Sequence, residues 1–208
     1  MPVISELQTQ VGLARLWWEP ASSPGQPRAT LVLGHGAGGG VDAPDLLAAQ
    51  AAGLALGLQV LRVEQPWRVA GRRVAVAPAQ LDVAWLEVCA AVAGPLVVGG
   101  RSAGARVACR TATATGAIAV LCLAFPLVPP QRTNSRAAEL ALPDVPLLVV
   151  QGSRDRFGVP EQAQVVEGAD HGFATRKKDG RTPGDVAADI EQRVTDWLAT
   201  VLPGAARG

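Results

Sequence analysis

The feature that most constrains this chain is a set of short runs that are apolar at nearly every position. "ATLVLG" (29–34), "PLVVGG" (95–100), "AIAVLCLAF" (117–125) and "VPLLVVQG" (145–152) lack the alternation of a strand with one wet face. A strand apolar at successive positions must be covered on both sides, and a sheet of such strands is mostly parallel with helices on both faces. The intervening stretches supply the helices. "APDLLAAQAAGLALG" (43–57) is rich in alanine and leucine, and Asp42 with Pro44 suits a capped first turn. "APAQLDVAWLEVCAAVAG" (77–94) sets Leu81, Trp85, Val88 and Val92 at helical spacing, with Gly94 to close it. "SAGARVACRTATATG" (102–116) and "TPGDVAADIEQRVTDWLATVL" (182–202) read as two further helices, the last capped and amphipathic. "LQVLRVEQP" (58–66) and "AQVVEG" (163–168) add strands, and "GLARLWWEPA" (12–21) fits an antiparallel edge strand. The fold class expected is a doubly wound α/β sheet in one domain spanning 1–208, with "PLVPPQRTNSRAAELALP" (126–143) an insert too short to be a second domain.

Composition narrows the partners. The chain has 208 residues, 49% apolar and 18% charged, enough to bury a full core. A formal net charge of +1 gives no reason to expect nucleic acid or an anionic membrane as the main partner. Cys89, Cys109 and Cys122 each stand in apolar surroundings and read as buried free thiols of a reducing compartment. "MPVISELQTQ" has neither a basic nor an apolar leader segment, and the apolar run Ala117–Phe125 is too short to span a bilayer. These features lead to the expectation of a soluble, cytoplasmic protein.

In an open parallel sheet ligands bind outside the carboxyl ends of the strands, so the residues that follow each strand matter most. "LGHGAGGG" (33–40) contains Gly34-x-Gly36-x-x-Gly39, the spacing of a dinucleotide-binding turn, and Glu64 ends the next strand where a ribose-binding acid would stand. The same glycines would equally let backbone N–H groups turn inward toward a developing negative charge. A plain glycine-rich turn is the third reading, and the loop by itself leaves all three open. "GGRSAG" (99–104) places Ser102 between Gly100 and Gly104, with Ala103 beside it, where a strand turns into a helix. A nucleophile lifted above the sheet needs small neighbours of this kind, although a turn residue would also fit. "VVQGSRDRFG" (149–158) puts Asp155 just after a buried strand, and "VVEGADHGF" (165–173) puts His171 after the last one. Each has an ordinary alternative: a surface salt bridge for Asp155 with Arg154 or Arg156, a polar loop for His171.

The residues make more sense together than apart. A serine hydroxyl needs a base, and the base needs a carboxylate to fix its tautomer. The chain has two histidines, His35 in the glycine loop and His171 at the strand end where such a base belongs. Ser102, Asp155 and His171 follow in the order serine, acid, histidine. The nucleotide reading accounts for none of the three.

With these pieces in order, the sequence resembles the α/β-hydrolases, and within them the small capless branch similar to dienelactone hydrolase. It resembles in particular a group that includes a testis-expressed protein and a subunit of a chromatin-acetylating complex. The matching segments are "LVLGHGAGG", "VGGRSAGARVA", "AFPLVPP", "LLVVQGSRDRFG", "VEGADHGF" and "DVAADIEQRVTDWL", and they run through most of the chain. The resemblance implies Ser102 as nucleophile, His171 as general base and then acid, and Asp155 as its orienting partner. It implies an oxyanion hole at the N–H groups of Ala37 and Ala103, with His35 bracing the loop. Gly36, Gly38, Gly100 and Gly104 would support that geometry. Asp155 and His171 lie close in sequence, which leaves almost no helix between the last two strands.

Trp67, Phe125 and Phe173 are the candidate pocket walls. Arg101, Arg106 and Arg110 are expected to pair with acids of the scaffold rather than with substrate. No Cys/His spacing suits a metal, and no cofactor is expected. The function expected is hydrolysis of carboxylic esters or thioesters of small soluble acyl substrates through an acyl-enzyme on Ser102. The alternatives are a non-catalytic binding scaffold of the same fold and, less favoured, a nucleotide-binding oxidoreductase.

Overall fold

The computed structural model describes residues 2–21, 27–129 and 134–202. Its eight strands form one sheet: β1 (Val3–Thr9), β2 (Gly12–Glu19), β3 (Thr30–Gly34), β4 (Gln59–Glu64), β5 (Leu96–Arg101), β6 (Ala119–Leu123), β7 (Leu147–Gly152) and β8 (Gln164–Val166). Their order across the sheet is β1-β2-β4-β3-β5-β6-β7-β8. β1, β2 and β4 pair antiparallel, and every pair from β4–β3 to β7–β8 is parallel. The strand order reverses direction beside β3 and β5, which opens a crevice at their carboxyl ends.

The apolar runs behave as their pattern demands. Leu31 and Leu33 of β3 and Leu121 and Leu123 of β6 enter one core, beneath helices α1 (Pro44–Ala55) and α6 (Pro183–Val201). Val32, Val98, Val120 and Cys122 enter a second core, against α3 (Pro78–Ala90) and α4 (Ala103–Thr115). In α6, Val186, Ile190, Val194 and Leu198 recur every fourth position and are buried, each burial stabilising by ~1.5–3 kcal/mol. That helix opens with a reciprocal cap between Thr182 and Asp185, as its sequence suggests. Among the described residues no helix is long and apolar enough to cross a membrane.

Several details differ from the sequence reading. "GLARLWWEPA" is not the edge, because β1 covers its outer side. Asp42 does not cap α1: Pro44 fixes the first helical position, so Ala43 becomes the N-cap, without a side-chain bond. α3 ends at Ala90, and Gly94 turns the chain beyond it with φ +88°. A short helix α2 (Pro66–Val69) follows β4, and α5 (Ala137–Leu140) sits in the insert. The insert also includes residues 130–133, which lie outside the described residues.

Candidate active site

Four strand ends meet at one edge. β5 ends at Arg101 and α4 begins at Ala103, so Ser102 is the single residue between strand and helix. Its φ of 52° and ψ of −106° are strained for a residue with a side chain, at a cost of ~1–3 kcal/mol. The Ser102 N–H donates to the Leu123 carbonyl at 2.9 Å, and its own carbonyl accepts from the Arg106 N–H at 3.2 Å, which hold the turn in place. A Cβ on either Gly100 or Gly104 would run into the carbonyl oxygen of Gly34. A Cβ on Gly34 would come within 3.1 Å of the Trp85 ring and 3.3 Å of the Gly104 Cα. The close approach of β3, β5 and α4 therefore excludes any side chain at Gly100 and Gly104 and leaves little room for one at Gly34. Gly38 is different, since nothing lies within 4 Å of where its Cβ would be.

The Ser102 Oγ lies 3.1 Å from His171 Nε2, and His171 Nδ1 lies 2.7 Å from Asp155 Oδ2. A carboxylate accepts only, so Nδ1 carries the proton and the lone pair of Nε2 faces the serine hydroxyl. The Asp155 side chain is fully buried. It is satisfied by two further donors: Gln151 Nε2 at 2.7 Å on Oδ2 and the Phe157 N–H at 2.8 Å on Oδ1. Phe157 packs its ring against the imidazole, centroids 4.3 Å apart. No helix separates β7 from β8, in keeping with the short spacing between Asp155 and His171.

Gln151 was not singled out by the sequence. It is fully buried near the end of β7, and its amide also reaches the carbonyls of Phe125 and Gly158, each at 3.0 Å. The signal was present: a lone polar residue in an otherwise apolar strand, "LLVVQG".

The glycine loop passes beside the serine. A Cβ on Gly36 would lie 3.5 Å from the Ser102 Cβ, which brings the neighbouring Ala37 to the site's rim, where it is exposed. Ala103, at the first position of α4, has an N–H with no acceptor within the helix. His35 is buried; its Nδ1–H donates to the Gly36 carbonyl at 2.8 Å, and its Nε2 accepts from the Gln65 N–H at 3.1 Å. Burial lowers its pKa from the ordinary 6.5, so it stays neutral. The loop does not cradle a pyrophosphate, because α1 starts only at Pro44, well past Gly39, and Glu64 is engaged by Arg15 at 3.3 Å.

The candidate walls separate. Trp67, 5.5 Å from the His35 ring, borders both a small recess beside Ala103 and Gly104 and a cavity of about 510 Å³ beyond it. Phe173 lines a second cavity, of about 340 Å³, between α1, α6 and the His171 loop. Phe125 is a correction: it is fully buried in the second core, because β6 delivers it beneath the site. The arginines pair with scaffold acids: Arg101 with Asp45, Arg106 bidentate with Glu139, Arg110 bidentate with Asp82. All three cysteines are buried and free, and burial pushes the Cys89 thiol up to about 12. No group of three or more potential metal ligands occurs among the described residues.

A family model described as an alpha/beta hydrolase domain matches residues 27–199. No curated protein sequence matches the chain. Among solved structures, an a/b serine hydrolase without lid from Xanthomonas campestris superposes with a TM-score of 0.75 at 18% identity, over 99% of this chain and 97% of that one. Est1E from Butyrivibrio proteoclasticus, solved with ferulic acid bound, gives 0.68 at 12% identity, over 94% and 99%. Dienelactone hydrolase from Anabaena variabilis gives 0.68 at 16% identity, over 97% and 99%.

Proposed function

Since the chain belongs to the alpha/beta hydrolase family, we propose that it is a serine hydrolase acting on carboxylic esters or thioesters of small acyl groups. The observation that carries this reading is the relay from Ser102 Oγ through both nitrogens of His171 to the buried carboxylate of Asp155, at 3.1 and 2.7 Å. In the first half-reaction His171 Nε2 takes the hydroxyl proton as Oγ bonds to the substrate carbonyl carbon. The oxygen of the tetrahedral adduct becomes an anion, and the N–H groups of Ala103 and Ala37 are the donors assigned to it. Loss of one such donor typically costs ~2.7–4 kcal/mol of transition-state stabilisation. Protonated at both nitrogens, His171 is stabilised by Asp155 and passes the Nε2 proton to the departing alkoxide or thiolate. The C–O or C–S bond breaks, leaving an ester on Ser102. In the second half, water gives a proton to Nε2 as it attacks that ester; the carboxylic acid departs and Oγ recovers its proton.

The acyl side is small on this reading because the recess beside Ala103 and Gly104, lined by Trp67, His35 and Leu81, holds only about 10 Å³. The test is fluorophosphonate labelling followed by peptide mass mapping, with short p-nitrophenyl esters and acyl thioesters assayed in parallel. A single adduct on Ser102, absent from a folded Ser102→Ala variant, is expected. A folded protein that takes no adduct would overturn the proposal in favour of a non-catalytic scaffold.

A further inference from the structure

Arg101, immediately before the nucleophile, engages three segments with one guanidinium. Its Nε lies 3.0 Å from Asp45 Oδ2 in the first turn of α1. Its Nη2–H donates to the His171 carbonyl at 2.9 Å. Its Nη1 fills the room left by Gly36, where a Cβ would come within 3.1 Å of it. We infer that Arg101, anchored by the Asp45 carboxylate, is a positioning residue that fixes the distance between the His171 loop and Ser102; this rests on the serine-hydrolase reading above.

The His171 loop is shaped by its own bonds and fastened to the turn after β7 by Arg154, whose backbone N–H donates to the Ala169 carbonyl at 2.8 Å and whose Nε–H donates to the Gly168 carbonyl at 2.7 Å. Asp170 Oδ1 accepts from the N–H groups of Gly172 and Ala174 at 2.8 and 3.0 Å, and the Phe173 N–H donates to the Asp170 carbonyl at 2.9 Å. Those bonds make a rigid turn but do not tie it to β5. The Arg101 bond does, from the residue next to Ser102. A guanidinium suits the task because its donors diverge in one plane, whereas a lysine offers a single point charge.

Stability is a poor explanation for the pair. Asp45 is 2% exposed and Arg101 14% by side chain, and a buried ion pair is commonly no better than well-packed apolar residues of the same volume. Burial pushes the Asp45 carboxyl above its ordinary 3.8, and the Arg101 charge opposes that shift, so the carboxylate depends on its partner. What the pair adds is a charge that holds the guanidinium beside the first turn of α1, as a close ion pair rather than an aligned hydrogen bond.

The test compares the unmodified protein with Arg101→Met, Arg101→Lys and Asp45→Asn, each first shown to be folded. The expected loss in Arg101→Met is in kcat, by roughly 10–100-fold, with KM within about twofold. Arg101→Lys is expected not to recover the loss, and Asp45→Asn to lose less in the same direction. With only two histidines in the chain, isotope-labelled imidazole nitrogens report each ring separately. In Arg101→Met the His171 signals are expected to leave the single Nδ1–H tautomer, whatever happens to those of His35, whose Gly36 partner also packs against Arg101. A role in stability alone would lower the urea midpoint and leave the His171 tautomer in place. Unchanged kcat and unchanged His171 signals, or full recovery by lysine, would overturn the inference. If the unmodified protein takes no fluorophosphonate, the hydrolase reading falls, and the His171 signals still decide whether Arg101 positions the ring.

Discussion

His35 and His171 both stand at the carboxyl edge of the sheet, and their ring nitrogens are occupied in opposite ways. The loop after β3 surrounds His35 with backbone partners, a carbonyl on one nitrogen and an N–H on the other, so both sites are taken. The turn after β8 gives His171 a carboxylate on Nδ1 and leaves Nε2 for a hydroxyl. The first ring is buried and kept neutral; the second has a 17% exposed side chain and a buried carboxylate 2.7 Å from its Nδ1. Position at a strand end is therefore not what suits an imidazole to the base's role proposed for His171. The partner on the far nitrogen is.

The sharpest way to break this contrast is to remove the proposed reacting pair. Ser102→Ala or His171→Ala is expected to lower kcat by roughly 10⁴–10⁶-fold, measured with an activated ester, without loss of fold. Asp155→Asn follows, at roughly 10⁴-fold, because an amide facing Nδ1 favours the wrong tautomer. His35→Gln is expected to cost less than about tenfold in kcat but ~1–3 kcal/mol in stability by urea unfolding, since it strands buried backbone partners.

The smallest effect concerns pH. The native pKa of His35 lies below the ordinary 6.5, so below 6.5 the unfolded chain takes up a proton that the native ring refuses. Stability contributed by the neutral ring is intact above 6.5 and is lost as pH falls from there toward the native value. Relative to the unmodified protein, His35→Gln is expected to flatten that decline by up to about 1.4 kcal/mol per pH unit in urea melts. An equal slope in both proteins would mean that His35 is not held neutral.

The sequence made the parallel strands readable because burial on both faces leaves so distinct a pattern. β1 escaped for the opposite reason: Val3 and Ile4 are 63% and 50% exposed, and of its apolar residues only Leu7 packs against a core. Ser102, Asp155 and His171 were visible because each follows a strand and because histidine is scarce. The groups that support them were harder to see. Gln151 looks like one polar residue among apolar ones, and its partner lies round the turn. Arg101 reaches an acid in α1 and a backbone carbonyl, and a carbonyl has no letter in a sequence. Cys109 and Cys122 come from a helix and a strand that packing brings together, their sulfurs 3.3 Å apart.

The three-way contact of Gly34, Gly100 and Gly104 has a consequence for anyone who mutates this protein at random. In a saturation library scored for abundance, Ser102 would tolerate alanine while Gly100 and Gly104 would reject it, because a single methyl would force α4 off the sheet. Scored for turnover, these three positions would look equally intolerant. Gly38, with open space around it, would accept alanine in both screens. The two score maps divided by one another would separate the residue that reacts from those that only leave it room.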